Sequence, residues 1–285
     1  MERLVQGYGL VEGPVWVPGR GLMFSDVHGG GVHCLSADGT IDTVFPHRRG
    51  IGGMALHADN GLVVGGRNIA FKSFASGDTA VILDRDPEHG NVGYNDLTTD
   101  AAGRIYVGSL GSPVFEAGEQ LPGSLHVIDL DGSVRIVAED VLLTNGLGFS
   151  PDGKTLYHSD SRRQTVHRYD VAGDGDLGPK RTFATLDDGA PDGLAVSADG
   201  AVWVAVAGGC CVAVFEPDGS GRQRITVPMP MCTSVCFGGQ DLTDLYIVTG
   251  SDGVEGDREG SVYRERVGVA GMRVPIARVP LNAAT

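Results

Sequence analysis

Short runs of alternating apolar and polar residues fill this chain, and most of them end at a turn that contains glycine. A clear example is the stretch 145–157, which reads Asn-Gly-Leu-Gly-Phe-Ser-Pro-Asp-Gly-Lys-Thr-Leu-Tyr. Alternation with a period of two predicts β-strands, and an Asp-Gly pair between two such runs allows the positive φ angles of a tight hairpin. The pattern therefore predicts antiparallel hairpins.

This hairpin pattern occurs six times along the chain, and a second hairpin follows each copy. The copies begin at Glu12, Gly52, Asn95, Asn145, Asp192 and Thr233, with spacings of 40, 43, 50, 47 and 41 residues. Four strands in a repeat of roughly 40–50 residues are typical of one propeller blade. The sequence predicts an all-β fold, a six-bladed β-propeller with four antiparallel strands per blade, forming one domain over residues 1–285.

A propeller is usually closed by pairing strands from the two ends of the chain, which leaves fewer exposed sheet edges. The segments Leu4–Val11 and Gly260–Val267 are the predicted closing partners. The composition agrees with many short strands and turns, because 45 of the 285 residues are glycine. A helical bundle would exclude glycine from its helix interiors.

The net charge of −14 argues against nucleic acid and against an anionic membrane surface, because both bind basic proteins. We expect neither partner. The N-terminus lacks the apolar stretch of a signal peptide, and the five cysteines are odd in number without a Cys-x-x-Cys pair. These features predict a cytoplasmic protein without a disulfide framework. We expect a monomer or a small homo-oligomer.

The first residues of the six repeats should meet around the central channel, because the innermost strand of each propeller blade borders it. Four of the six carry side-chain amide or carboxylate oxygens: Glu12, Asn95, Asn145 and Asp192. Two buried carboxylates would repel each other without a cation. An all-oxygen set favours Ca²⁺, with Mg²⁺, Mn²⁺ or Zn²⁺ as alternatives. The competing interpretation is that Asn-Gly and Asp-Gly are ordinary turn pairs.

Four motifs resemble those of the family that contains gluconolactonase, regucalcin (senescence marker protein) and luciferin-regenerating enzyme. They are Glu12-Gly-Pro-Val-Trp16, Tyr94-Asn-Asp96, Thr144-Asn-Gly-Leu147 and Pro191-Asp-Gly-Leu194. The resemblance covers nearly the whole chain and implies a six-bladed propeller with one divalent metal ion in its channel. It implies Glu12, Asn145 and Asp192 as metal ligands, and Asn95 as a residue that binds substrate beside the metal.

The implied function is a metal-dependent lactone hydrolase, in which Asp192 takes the proton of the attacking water and Asn95 holds the carbonyl or the ring oxygen. Two alternatives remain open: a phosphotriesterase-like hydrolase on the same site, and a calcium-binding protein without enzymatic activity. One position departs from the family pattern. Gly93 stands where sugar-lactone hydrolases often have an arginine, which predicts that simple lactones are hydrolysed at least as well as gluconolactone. Arg48, Arg49 and Arg67 are the candidates to replace that cation.

Overall fold

The chain folds into six four-stranded antiparallel sheets around a central channel, which confirms the predicted six-bladed propeller. The computed structural model describes residues 1–116 and 118–281, so the last four residues of the predicted 1–285 domain lie outside it. The first strand, β1 (Glu2–Tyr8), pairs with the last one in the chain, Gly260–Arg266. The predicted closure is confirmed, except that Val11 belongs to the next strand.

The remaining strands follow the chain from the innermost to the outermost position of each blade. Blade one contains β2 (Val11–Val17), β3 (Gly21–Asp26), β4 (Val32–Leu35) and β5 (Ile41–Phe45). Blade two contains β6 (Met54–His57), β7 (Gly61–Val64), β8 (Ile69–Ser73) and β9 (Thr79–Leu83). Blade three contains β10 (Gly93–Thr99), β11 (Ile105–Leu110), β12 (Gly123–Ile128) and β13 (Val134–Val141).

The second half of the chain repeats this order. Blade four contains β14 (Thr144–Phe149), β15 (Thr155–Asp160), β16 (Thr165–Asp170) and β17 (Arg181–Thr185). Blade five contains β18 (Ala190–Val196), β19 (Val202–Ala207), β20 (Cys211–Phe215) and β21 (Gly221–Thr226). Blade six contains β22 (Cys232–Gly238), β23 (Asp244–Thr249), β24 (Gly260–Arg266) and, at its outer edge, β1.

Two one-turn 3₁₀ helices, Pro87–His89 and Ser161–Arg163, are the helical elements in the described part of the chain. Neither is long or apolar enough to cross a membrane.

The hydrophobic core lies between neighbouring blades. Strand alternation puts Tyr157 and Phe183 of blade four against Val204 and Phe215 of blade five, and these side chains are buried. The aromatic rings of Tyr157 and Phe183 pack at a tilt of 57°, with their centroids 4.7 Å apart. Because each blade supplies one apolar face to the next blade, the six inner strands are held in register around the channel.

The C-terminal segment, residues 270–281, crosses the end of the channel at which the inner strands finish. Its backbone donates a hydrogen bond from Met272 N to the carbonyl of Val196 in blade five, and one from Ala277 N to the carbonyl of Leu56 in blade two (both 2.8 Å). Between this segment and the inner strands lies a mainly apolar cavity of about 360 Å³. The segment covers this end of the channel, and we call the opposite end, where the inner strands begin, the open end.

Candidate metal and substrate site

The inner strands share a local irregularity at the predicted ring positions. In five blades the pairing of the inner strand with its neighbour shifts register there: at Glu12/Val15, Tyr94/Leu97, Thr144/Leu147, Pro191/Leu194 and Cys232/Ser234. A β-bulge of this kind changes the direction of a side chain and is frequent beside active sites. The repeated bulge explains why the ring positions depart from regular alternation and turn toward one another.

The glycines that follow the ring residues serve close packing between blades. A Cβ atom on Gly146 would lie 2.3 Å from Leu194 N, and one on Gly193 would lie 1.9 Å from Ser234 Oγ. Both glycines lie within strands, at the contact with the next inner strand. The interpretation of these Asn-Gly and Asp-Gly pairs as turns is therefore wrong.

Side-chain contacts show that the ring residues come together. Asn95 Nδ2 in blade three donates a hydrogen bond of 2.7 Å to Asn145 Oδ1 in blade four. Glu12 and Asp192, in blades one and five, are buried and close enough for the charge of Asp192 to raise the pKa of Glu12. At the other two positions, Gly52 has no side chain and the Thr233 hydroxyl lies 2.5 Å from the carbonyl of Val11. The oxygen-bearing side chains of four repeats thus meet in the channel.

Asp96 is a third carboxylate at this site, and the sequence analysis gave it no role. Burial raises the pKa of Asp96 to about 7, and its charge raises the pKa values of both Glu12 and Asp192. A Cβ atom on Gly53 would lie 2.3 Å from Asp96 Oδ1, so only glycine leaves room for this carboxylate. The sequence did carry a signal: four of the other five repeats have glycine after the ring residue, whereas the third repeat has Asp96.

The electrostatics of the site favour a cation. Burial is the main cause that raises the pKa values of Glu12 and Asp192 well above their usual range, and nearby carboxylates add to it. Asp192 Oδ1 is buried and has no hydrogen-bond partner within the described residues. A buried carboxylate oxygen without a partner is costly, and a cation would remove that cost.

The donor set fits a hard divalent ion. No three His, Cys, Asp or Glu side chains in residues 1–116 and 118–281 form a metal cluster by themselves, so an asparagine oxygen would have to complete the set. Carboxylate and amide oxygens are the donors that calcium prefers. Glu12, Asn145 and Asp192 would hold such an ion.

The Asn95 amide can accept a hydrogen bond from a substrate but cannot donate one, contrary to the expectation from the sequence. Its Nδ2 group donates to the carbonyl of Thr144 and to Asn145 Oδ1, both at 2.7 Å, so both amide hydrogens are used. The Oδ1 atom faces Gly52, where an added Cβ would lie only 2.0 Å away. Asn95 therefore offers an acceptor to the channel and no donor for a substrate carbonyl or ring oxygen.

The loop between β11 and β12 extends over the open end of the channel. The Phe115 ring, 67% exposed, contacts the His28 ring of blade one at 5.3 Å. In blade four, Arg162 Nη2 donates a hydrogen bond of 3.1 Å to the carbonyl of Val114. A loop of blade three that reaches blades one and four lies across the entrance to the ring. This end of the channel therefore has an aromatic border.

Three arginines were candidates to replace the arginine that is missing at Gly93. One of them, Arg48, is already hydrogen-bonded to blade two. Its Nη2 atom donates to the carbonyls of Gly65 and Asn68 and to Asn68 Oδ1, at 2.7 to 3.0 Å. Arg49 and Arg67 are exposed. A Cβ atom on Gly93 would lie 3.8 Å from Arg67 Cα, so Arg67 adjoins the position where the family arginine is missing.

His158 is a core residue of blade four. It is fully buried in β15, and its Nε2 atom lies 2.6 Å from Thr144 Oγ1. Burial is the main cause that lowers the pKa of His158 to about 3, and His167 adds to it. In the unfolded chain this imidazole has its ordinary pKa. Between about pH 6.5 and pH 3, the unfolded state therefore binds a proton at His158 that the folded state does not bind.

We expect His158→Gln to reduce the acid sensitivity of folding. The folded-state pKa is depressed, so stability is lost as the pH falls below about 6.5, and by pH 5 His158 should cost about 2 kcal/mol. Melting curves at pH 7 and 5, in chelator, should show a smaller loss for the variant by roughly 4–8 °C. The exposed His89→Gln serves as the control. Equal pH dependence in the His158 variant and the parent would contradict this explanation.

Comparisons with known proteins agree with this geometry. The family model described as the SMP-30/Gluconolactonase/LRE-like region matches residues 10–251. The chain is 33% identical over 282 residues to the 6-deoxy-6-sulfogluconolactonase of Pseudomonas putida, covering 94% of each protein. It is 31% identical over 268 residues to regucalcin of Gallus gallus, covering 88% of this chain and 86% of that protein. A solved luciferin-regenerating enzyme superimposes with a TM-score of 0.85 at 25% identity, covering 96% of this chain and 97% of that one.

The fold and the channel site define a propeller of the lactonase type. The chain belongs to the SMP-30/gluconolactonase/LRE-like family.

Proposed function

We propose that this protein is a divalent-metal-dependent hydrolase of sugar lactones, with calcium as the preferred ion. The observation that carries the proposal is the unpartnered, buried Asp192 Oδ1 beside the Glu12 and Asn145 side chains. The name of the Pseudomonas putida relative supports a sugar lactone as substrate, and the name regucalcin supports calcium.

When bound, the divalent ion would polarise the lactone carbonyl and stabilise the negative charge that develops on its oxygen. Asp192 is the proposed general base and accepts a proton from the attacking water. The leaving alkoxide stays attached to the product, so the same carboxylate can return the proton to it. Asn95 Oδ1, the free atom of its amide, accepts a hydrogen bond from a substrate hydroxyl or acts as a fourth ligand.

The arginines at the open end point to a sugar lactone with an acidic substituent. Arg67 adjoins Gly93. The backbone next to Arg49 lies against the backbone next to Arg67, because the carbonyl oxygen of Gly50 is 2.8 Å from an added Cβ on Gly66. Neither guanidinium has a hydrogen bond or an ion pair to another described residue, although acidic residues outnumber basic ones by 36 to 22. Two such cations beside the substrate position would favour an anionic group.

A panel of lactones tests this function. With calcium present, we expect an anionic sugar lactone to exceed gluconolactone at least tenfold in kcat/KM, about 1.4 kcal/mol of transition-state binding. Arg67→Gln should remove most of that preference. Arg273→Gln, an exposed arginine at the covered end of the channel, should leave it unchanged.

Other outcomes of the panel would change the assignment. If δ-valerolactone is hydrolysed as well as the sugar lactones, the prediction drawn from Gly93 holds and the sugar-lactone proposal is wrong. Turnover of a phosphotriester in preference to every lactone would identify the phosphotriesterase alternative. Tight calcium binding without any turnover would indicate a calcium-binding protein.

We also propose a cytoplasmic location. Its support is that all five cysteines are free thiols and that Cys34, Cys211 and Cys232 are buried, as expected in a reducing compartment.

A further inference from the structure

Ser161 lies just behind the ring, between two of its proposed ligands. It is 8% exposed and begins the short 3₁₀ helix Ser161–Arg163 after β15. Its backbone N–H donates to the carbonyl of Leu143 (3.0 Å), which fixes the residue to the start of blade four. No motif in the sequence pointed to this residue.

The hydroxyl group of Ser161 makes two hydrogen bonds. Its Oγ lies 2.6 Å from the carbonyl oxygen of Pro191, the residue before Asp192. It also lies 2.8 Å from Asn145 Nδ2. The Ser161 hydroxyl therefore links the backbone next to one proposed ligand with the side chain of another.

The direction of each hydrogen bond follows from proton counting. A carbonyl oxygen can only accept, so the single hydroxyl proton goes to Pro191. The Ser161 oxygen is then left with lone pairs, and Asn145 must present its NH₂ group to it. The Oδ1 atom of Asn145 consequently points away from Ser161, toward Asn95 Nδ2 at 2.7 Å and the ring.

Both ends of the Asn145 amide thus favour one orientation. A flipped amide would place its NH₂ group against the Asn95 NH₂ group and its oxygen against a hydroxyl that has no proton left. One lone pair of Asn145 Oδ1 accepts from Asn95, and the second remains for a cation. A reversed amide would instead point a positively polarised hydrogen at that cation.

We propose that Ser161 is a positioning residue for the metal site: it holds the Asn145 amide with its oxygen toward the ion and anchors the backbone beside Asp192. This inference rests on the proposed function, because it assumes that Asn145 is a ligand. Residues that orient metal ligands typically contribute 10- to 100-fold to metal affinity. A serine that merely filled space would contribute nothing to the affinity.

The test is calcium affinity measured by titration calorimetry on the full chain. Ser161→Ala should weaken calcium binding about 10- to 100-fold, and Ser161→Thr, which keeps the hydroxyl, should restore most of it. Ser161→Cys provides the same loss of a strong hydrogen bond if the alanine variant does not fold. The matched control is Ser109→Ala, because Ser109 is also buried near this end and its Oγ bonds only Ser124 N and O (2.9 and 3.1 Å).

Two further measurements separate positioning from general stability. Melting in chelator should fall by similar amounts in the Ser161→Ala and Ser109→Ala variants, while only the former loses calcium affinity. In NMR spectra, the side-chain NH₂ signals of Asn145 should shift, and exchange faster, in Ser161→Ala than in the parent.

The outcomes distinguish this inference from the proposed function. Calcium affinity of Ser161→Ala within twofold of the parent, together with loss of binding in Asn145→Ala, would overturn the positioning role and leave the metal site intact. A parent protein that binds no divalent ion would overturn both. Unchanged Asn145 NH₂ signals would also contradict the role of Ser161, whatever the affinity.

Discussion

The Asp192→Asn variant should lose at least about a hundredfold in turnover of lactones while keeping its fold. The substitution retains an oxygen of similar size at the same bulge in β18 but removes the charge and the proton acceptor. A general base typically contributes 10²- to 10⁴-fold to the rate, so a hundredfold loss is the lower part of that range. Steady-state kinetics at saturating calcium, with circular dichroism and bound-metal analysis on the same sample, measure it.

Asn95→Ala is the comparison that separates proton transfer from substrate binding. It keeps all three carboxylates of the site, so calcium content should stay near that of the parent while turnover falls. If Asp192→Asn hydrolyses lactones normally with its ion bound, the base lies elsewhere, and Glu12 and Asp96 are the remaining carboxylates of the site. If Asn95→Ala loses the ion, Asn95 takes part in metal binding, either through Oδ1 as a fourth ligand or through the hydrogen bond that orients Asn145 Oδ1.

The overall architecture could be predicted because it is periodic. Each repeat contains the same alternation and the same turns, so one correctly interpreted hairpin predicts the others, and six copies determine the number of blades. The same periodicity placed Glu12, Asn145 and Asp192 at one level of the channel. Only the closing strand was misplaced at its edge, since Val11 continues directly into the inner strand of blade one.

The rest of the site could not be predicted because it depends on contacts that no repeat contains. Ser161 reaches the ring from the end of a second strand, and its partner Pro191 is 30 residues away. The used amide hydrogens of Asn95 became visible only when blades three and four were placed side by side. In the sequence, moreover, Asn145-Gly146 looks the same whether it forms a turn or a close contact between inner strands.

The loop that carries Phe115 shows the same limit. Its sequence, rich in Gly, Pro and Glu, gives no period and no apolar face. The contact of Phe115 with His28 joins blades one and three across the channel entrance. Sequence reasoning could place the ring but not the aromatic border above it.

Chelation of divalent ions should abolish lactone hydrolysis and lower the melting temperature together. Without a cation, Glu12, Asp96 and Asp192 are three carboxylates with raised pKa values in one buried site. No lysine or arginine side chain is among the groups that shift these pKa values. Calcium at a hundred times its Kd would stabilise the folded state by about 2.7 kcal/mol. For a domain of this size that corresponds to roughly 5–10 °C.

Melting curves and assays in chelator, then after adding back calcium, magnesium, manganese or zinc, measure this effect and rank the ions. Glu12→Gln is the matched variant, because it removes one charge from the ring and should lose most of the calcium-dependent shift. The C-terminal segment gives a control at the other end of the channel: Arg273→Gln should keep the full shift. An unchanged melting temperature in chelator, with no divalent ion found by elemental analysis, would show that these carboxylates share protons instead of a metal ion.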